Sequence, residues 1–369
     1  MLNNHITVLE INLNAVEHNL NYFKSKLKNS TKTLAVIKAF GYGSDAIVLA
    51  KFLNDKVSFF AVAYVDEGIA LREAGIEKPI LVLHPQLTNF NDIIEHCLEP
   101  NIYSFKTLHQ FISILKSKNI KHFPIHLKFN TGLNRLGFIP NDVEDLSSLL
   151  NNQKEVKVAS LFSHIAASED PNEKKFTLQQ IHKFKTASEK LINKLNYTPI
   201  RHMLNTSGIV NYAHEAQFDM VRLGIGLYGF GNDDTITQNL KNVVTLKSVI
   251  SQIHTVKKGE SVGYNRAFIA NKTTTSATIP VGHADGISRQ LGNGKGYVYI
   301  NNKKAPIIGN VCMDMIMVNV SNITCNEGDE VIIYKNQKHI EHLANLINSI
   351  SYELLTAISQ RIKRVIIKK

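Results

Sequence analysis

Eight short apolar runs, each followed by an amphipathic stretch, organise residues 1–232 and constrain the fold more than any other feature. They are TLAVIK (33–38), FFAVAY (59–64), PILVLH (79–84), NIYSF (101–105), PIHLKF (124–129), KVASLFS (157–163), PIRHML (199–204) and DMVRLG (219–224). A run that stays apolar along its length reads as a strand buried on both faces, the kind found in parallel sheets. The segments between them carry helical spacing, as in DAIVLAKFL (45–53), DEGIALREA (66–74) and residues 172–195. Strand and helix in alternation make an α/β fold, and eight units fit a closed (β/α)8 TIM barrel better than an open sheet.

Beyond GFGNDD the texture changes. Runs such as VVTLKSV, TTTSATIP, GYVYIN, MIMVNV and EVIIY are short, β-type and punctuated by Gly, Asn and Asp. Residues 233–369 therefore read as a second, mostly β domain, with a helical pair and a last strand, RVIIK, near the end. A length of 369 residues suits two domains. With 44% hydrophobic and 20% charged residues, composition excludes wholesale disorder. No apolar run approaches the ~18 residues of a membrane span, and the first residues lack the features of a signal peptide. Three cysteines without a CxxC pair point to a reducing cytoplasm rather than a disulfide framework.

Net charge is +11, yet the basic residues are scattered and form no block of like charge. A solvated lysine-rich surface explains this better than a nucleic-acid partner. The same charge steers small anions toward the molecule.

Chemistry concentrates at the C-terminal ends of the expected barrel strands, the face where such folds carry catalytic groups. Lys38 ends the first run and leads into AFGYGSD; desolvation there favours the free amine that Schiff-base chemistry requires. On position alone an ordinary surface lysine is the simpler account. Other strand ends strengthen the catalytic one. LKFNTGLNRLGF brings Lys128 and Arg135 around a Gly-containing turn, and FSHIAAS presents His164. HMLNTSG supplies Asn205 and Thr206, and MVRLGIGLYG supplies Arg222, Gly224 and Ile225. Hydroxyls and exposed amides after strands seven and eight commonly hold phosphate in barrels. Lysine, histidine, arginine and a phosphate cradle on one rim point to a phosphorylated carbonyl cofactor, pyridoxal 5′-phosphate (PLP).

VIKAFGYG, LKFNTGLNRLGF, FSHIAAS, NTSG, MVRLGIGLYG, VGYNRAF (262–268), GHADGISR (282–289) and APIIGNVCMDMIMVNV (305–320) together resemble the alanine racemase family, in its order and spacing. The resemblance runs from the first βα unit almost to the C-terminus. It implies PLP bound through Lys38, with Tyr42, Thr206, Gly224, Ile225 and Tyr352 on its phosphate. Arg222 faces the pyridine nitrogen, and His164 packs against the ring network. Arg135 serves the cofactor's phenolic oxygen and the substrate carboxylate, which also meets the Met313 backbone with Asp314 nearby. Lys128 matches a lysine often carbamylated in the family, where the modified group bonds Arg135. Lys38 and Tyr264 are the two catalytic bases, with Tyr264 supplied by the partner subunit of a homodimer with shared active sites. The expected substrate is a small amino acid, alanine, and the expected role is supply of D-alanine for peptidoglycan.

Phe40, Ser44, Asn130, His283 and Asn310 stand where the family usually has Asn, His, Asp, Tyr and Arg. His283 and Asn310 belong to the corridor into the site, so a broad-spectrum racemase for serine or larger amino acids stays open. A non-catalytic PLP carrier is a third reading, against which Tyr264, Arg135 and Met313 count. Three features lead to no site. His339 and His342 lack further ligands and read as an exposed polar face, with no metal expected. GNGKG (292–296) reads as a hairpin turn, and Cys312 as a buried small side chain.

Overall fold

The computed structural model describes residues 6–231 and 233–367. Strand β1 (Val8–Asn12) comes first, followed by a helix, Leu13–Lys24, started by the Asn12 side chain accepting from the Ala15 N–H. Eight parallel strands then close a barrel: β2 (Lys32–Val36), β3 (Phe59–Val62), β4 (Ile80–Val82), β5 (Glu99–Ile102), β6 (Phe123–Lys128), β7 (Val156–Phe162), β8 (Ile200–His202) and β9 (Met220–Leu223). Each overlaps one of the eight apolar runs. Strands β3, β4 and β9 are buried at every residue, which is why they carry no alternation. The helices outside them are amphipathic. In Phe105–Ser117 the buried Leu108, Phe111, Ile112 and Leu115 fall on one helical stripe, and Ser104 caps its start.

Strand β5 begins earlier than the apolar run 101–105 indicated. It starts at Glu99, a charged residue excluded by a criterion of apolarity, and Phe105 already opens the next helix.

The remaining strands are β10 (Val244–Val249), β11 (Gln252–Val256), β12 (Ser261–Val262), β13 (Phe268–Ile269), β14 (Thr274–Ile279), β15 (Tyr297–Ile300), β16 (Lys303–Ile308), β17 (Ile316–Asn319), β18 (Glu330–Tyr334) and β19 (Lys363–Ile367). Nine of the strands form one sheet, ordered β11-β14-β17-β16-β15-β18-β10-β1-β19, and β12 pairs with β13. Burial alternates along β10, as expected for a sheet with unlike faces. Although β1 precedes the barrel in sequence, it pairs with β10 and β19. The expected division after residue 232 falls at Asn232, which lies outside the described residues. A continuous buried core joins β1, the barrel and the second sheet.

Two features of this second region differ from the sequence expectation. His339 is buried, stacked 4.8 Å from Tyr297 and edge-on to Tyr299, while His342 is exposed. An exposed polar face therefore describes His342 alone. GNGKG is no hairpin turn: it follows a short 3-10 turn, Arg289–Leu291, and its backbone bonds extend the end of β16. The β15–β16 hairpin turns instead at Asn301 and Asn302, both with positive φ.

Candidate active site

Lys38 lies immediately beyond β2 and starts an unusual turn. Ala39, Phe40, Gly41 and Tyr42 all have positive φ, 52°, 54°, 62° and 53°. For residues with a Cβ this left-handed conformation costs about 1–2 kcal/mol each, so surrounding contacts must enforce it. Glu67 accepts from the Ala39 N–H (2.6 Å) and, through its other oxygen, from the Ala63 N–H (2.7 Å). Arg364, on β19, donates to the Gly43 carbonyl (2.7 Å) and the Ser44 carbonyl (2.9 Å) and stacks on Phe40. The GYG segment is thus held by contacts from other parts of the chain. Neither Glu67 nor Arg364 was expected in this role.

The turn aims Lys38 and Tyr42 into a cavity of about 540 Å³. Lys128, Arg135, His164, Asn205, Thr206, Arg222, Gly224, Ile225 and Tyr352, all expected at the site, line it as well. Tyr64, His84 and Phe162 also line it and were not anticipated; on apolar strand ends they read as core. Among the described residues lining the cavity there is no carboxylate. Cations therefore act on one another: burial, then Arg135, lowers the Lys38 pKa. Burial, then the charges of Arg135, Arg222 and Lys38, pushes Lys128 down to about 8.

One wall is a cradle of amides and hydroxyls. Asn205 caps the helix Thr206–Ala216 by accepting from the Gly208 N–H (2.9 Å). Thr206 accepts from the Gly226 N–H (3.2 Å), which locks that helix start to the turn beginning at Gly224. A Cβ on Gly224 would lie 2.7 Å from the Tyr42 hydroxyl, so a larger residue there would displace the phenol. Tyr42 stacks on Tyr228 at 4.5 Å, and burial raises its pKa, keeping the phenol a donor. Anions favour such helix starts.

Arg222 forms the floor. It donates to the Ser163 carbonyl (2.7 Å), the Met203 carbonyl (2.9 Å), His202 Nδ1 (2.6 Å) and His164 Nδ1 (3.2 Å). Burial lowers it to about 9, which leaves the guanidinium charged at neutral pH. Burial, then the charge of Arg222, holds His164 well below the usual histidine range, as an acceptor must be.

Tyr264, Met313 and Asp314 do not line this cavity and are exposed on the second region of the chain, Tyr264 by 75%. Their backbones are nonetheless fixed. Asn310 donates to the Tyr264 carbonyl (3.1 Å), and Gly263 and Asn265 flank Tyr264 with positive φ. The Met313 carbonyl accepts from Ala284 N–H (3.0 Å), and Arg361 bridges Asp314 and Asp285. Cys312 is half-buried rather than buried, and burial raises its thiol pKa, consistent with an inert side chain.

A parallel barrel with a desolvated lysine on a braced turn, a carboxylate-free cationic cavity and a cradle of amides defines a class: barrel enzymes that hold an anionic ligand beside a reactive amine. Comparison with known proteins narrows it. Residues 11–231 match the alanine racemase N-terminal domain model and residues 243–366 the C-terminal domain model. An alanine racemase of Fusobacterium nucleatum is 38% identical, with 95% of this chain and 98% of that protein covered. The structure of an alanine racemase of Clostridium difficile 630 is 33% identical and superposes with a TM-score of 0.92, covering 99% of this chain and 96% of that one. An alanine racemase of Bartonella henselae, solved with covalently bound pyridoxal phosphate, is 28% identical with a TM-score of 0.88, covering 98% and 99%. The chain belongs to the alanine racemase family.

Proposed function

We propose that the protein interconverts L- and D-alanine with PLP as cofactor. The observation carrying this reading is the convergence of Lys38, Arg135, Arg222 and Thr206 on one cavity free of carboxylates. The residues present fit that cofactor: the cradle beside Tyr42 and Gly224 suits its phosphate, and Lys38 its aldehyde. When bound, PLP withdraws electrons from the substrate's Cα and so acidifies the Cα–H.

The chain's own residues supply the rest. Lys38 would hold the cofactor through its amine and is placed to move the Cα proton on one face; its lowered pKa makes more free amine available near neutrality. Tyr264 of the second subunit serves the opposite face, which its exposure in the isolated chain supports. Arg222, a charged donor, would face the pyridine nitrogen and disfavour its protonation, which would limit side reactions. Tyr42, Thr206, Gly224, Ile225 and Tyr352 hold the phosphate, Asn205 fixes the helix start beneath it, and His164 supports Arg222. Arg135 orients the substrate carboxylate, with the Met313 backbone and Asp314 of the second subunit closing the site. Lys128, desolvated and near three cationic side chains, is suited to carbamylation, after which it accepts from Arg135.

This reading includes two domains, 1–232 carrying the barrel and 233–369 most of the second sheet, to which β1 adds one strand, and a cytoplasmic homodimer. No helix among the described residues is long and apolar enough to cross a membrane. The direct test is chiral analysis of each L-amino acid after incubation with protein and PLP. Alanine is expected to racemise at least about tenfold faster in kcat/KM than serine, a difference of ~1.4 kcal/mol. Absence of D-alanine would overturn the racemase reading, and comparable rates on large amino acids would favour a broad-spectrum enzyme.

A further inference from the structure

Arg222 is a buried cation whose direct partners are all neutral: two backbone carbonyls and two histidine nitrogens. Such a charge is stable only if compensation reaches it from somewhere. One partner leads away from the cavity. His202 Nε2 lies 2.9 Å from Ser160 Oγ, and Ser160 Oγ lies 2.5 Å from His126 Nδ1. His126 Nε2 lies 2.7 Å from a Glu99 carboxylate oxygen. These residues step through adjacent strands, β9, β8, β7, β6 and β5, and Glu99 opens β5 at the barrel end opposite the cavity. Ser160, His126 and His202 are 0% exposed, so water cannot substitute for a missing partner.

We propose that Glu99 is the counter-charge of Arg222, acting through a one-way chain of hydrogen bonds from Arg222 to His202, Ser160, His126 and Glu99, and that these four are positioning residues for the arginine.

The direction follows from valence. A guanidinium only donates, so His202 Nδ1 must accept and its single proton sits on Nε2. That proton goes to Ser160 Oγ, leaving the serine hydroxyl to donate to His126 Nδ1. The remaining proton of His126 is then on Nε2 and meets a carboxylate, which accepts. Any reversal leaves a buried donor unpaired or sets two donors against each other. Phe162 stacks on the His202 ring at 4.9 Å and an interplanar angle of 1°, fixing its orientation. Bonds in such a chain polarise one another, so the carboxylate strengthens the acceptor that His202 offers to Arg222. The consequence for turnover rests on the proposed racemase reading; the proton arrangement does not.

Neutron diffraction on the cofactor-loaded protein at neutral pH tests the arrangement directly. Deuterons are expected on Nε2 of both His202 and His126, with both Nδ1 atoms bare. A deuteron on either Nδ1 overturns the proposal. Kinetics test its consequence. Glu99→Gln is expected to lower kcat about tenfold, the low end for loss of an outer partner, with KM within about twofold. Combining it with Ser160→Ala is expected to add nothing to the loss caused by Ser160→Ala alone, because the chain is already broken. An unchanged kcat in Glu99→Gln, or losses that multiply, would mean Glu99 does not act through the chain. Should a variant fail to fold, the neutron map still decides. A wild-type protein inactive on alanine would defeat the racemase reading and leave the neutron result standing.

Discussion

At Lys128 burial and charge act in the same direction, and pH dependence follows from that. The folded pKa is about 8, against 10.5 for a free lysine, so between these values the unfolded chain binds more protons than the folded one. Stability of the cofactor-free protein therefore rises as pH climbs from about 8 to about 10.5. Denaturant midpoints across that window, in bicarbonate-free buffer, are expected to show the rise, and Lys128→Met is expected to reduce it. Arg222 offers a sharper contrast, because its position depends on neutral acceptors. Arg222→Glu is expected to slow racemisation and raise the share of transamination, measured as pyruvate formed per D-alanine. An unchanged product ratio would place Arg222 away from the pyridine nitrogen.

Among the elements, the turn 38–43 is where function has displaced local preference. Three of its residues with side chains take a conformation they disfavour, and Arg364, reaching from β19, holds the result. A Cβ on Gly43 would lie 1.9 Å from the Leu355 carbonyl oxygen, and the residue's φ is +78°. Gly43→Ala is therefore expected to destabilise the fold by more than about 2 kcal/mol in equilibrium unfolding, through backbone strain and a clash together. Gly224→Ala tests the cradle without that burden, since its Cβ meets only the Tyr42 side chain. It is expected to weaken PLP affinity at least tenfold by equilibrium dialysis while leaving the melting temperature nearly unchanged.

For the whole molecule, the decisive fact is that the two expected bases do not share a cavity: Lys38 lines the barrel cavity, and Tyr264 is exposed and does not line it. If the site is assembled from two chains, Lys38→Ala and Tyr264→Phe are each inactive alone. Mixed under conditions that exchange subunits, they are expected to recover about a quarter of wild-type activity, since half the dimers are hybrid and each hybrid has one intact site. No recovery, with exchange verified by mass, would mean that both bases come from one chain. The Tyr264 loop is held by Asn310, so Asn310→Ala is expected to lower kcat without changing cofactor binding.

The sequence by itself determined the barrel, because strands buried on both faces must be apolar runs and helices between them must be amphipathic. It also determined the residues of the rim, since Lys38, Lys128, His164, Asn205 and Arg222 follow directly from strand ends. Only the tertiary structure decided which residues brace them. Glu67, Arg364 and Asn310 act on backbone atoms far along the chain, and no local pattern encodes such a bond. His126 and His202 sit within strands that read simply as core, and Glu99 lies just outside a run chosen for apolarity. Pairing of β1 with β10 and β19 was likewise invisible, because a five-residue strand carries no label for its partner. Periodicity reports which face of an element is buried; what it is buried against is settled only when the chain closes on itself.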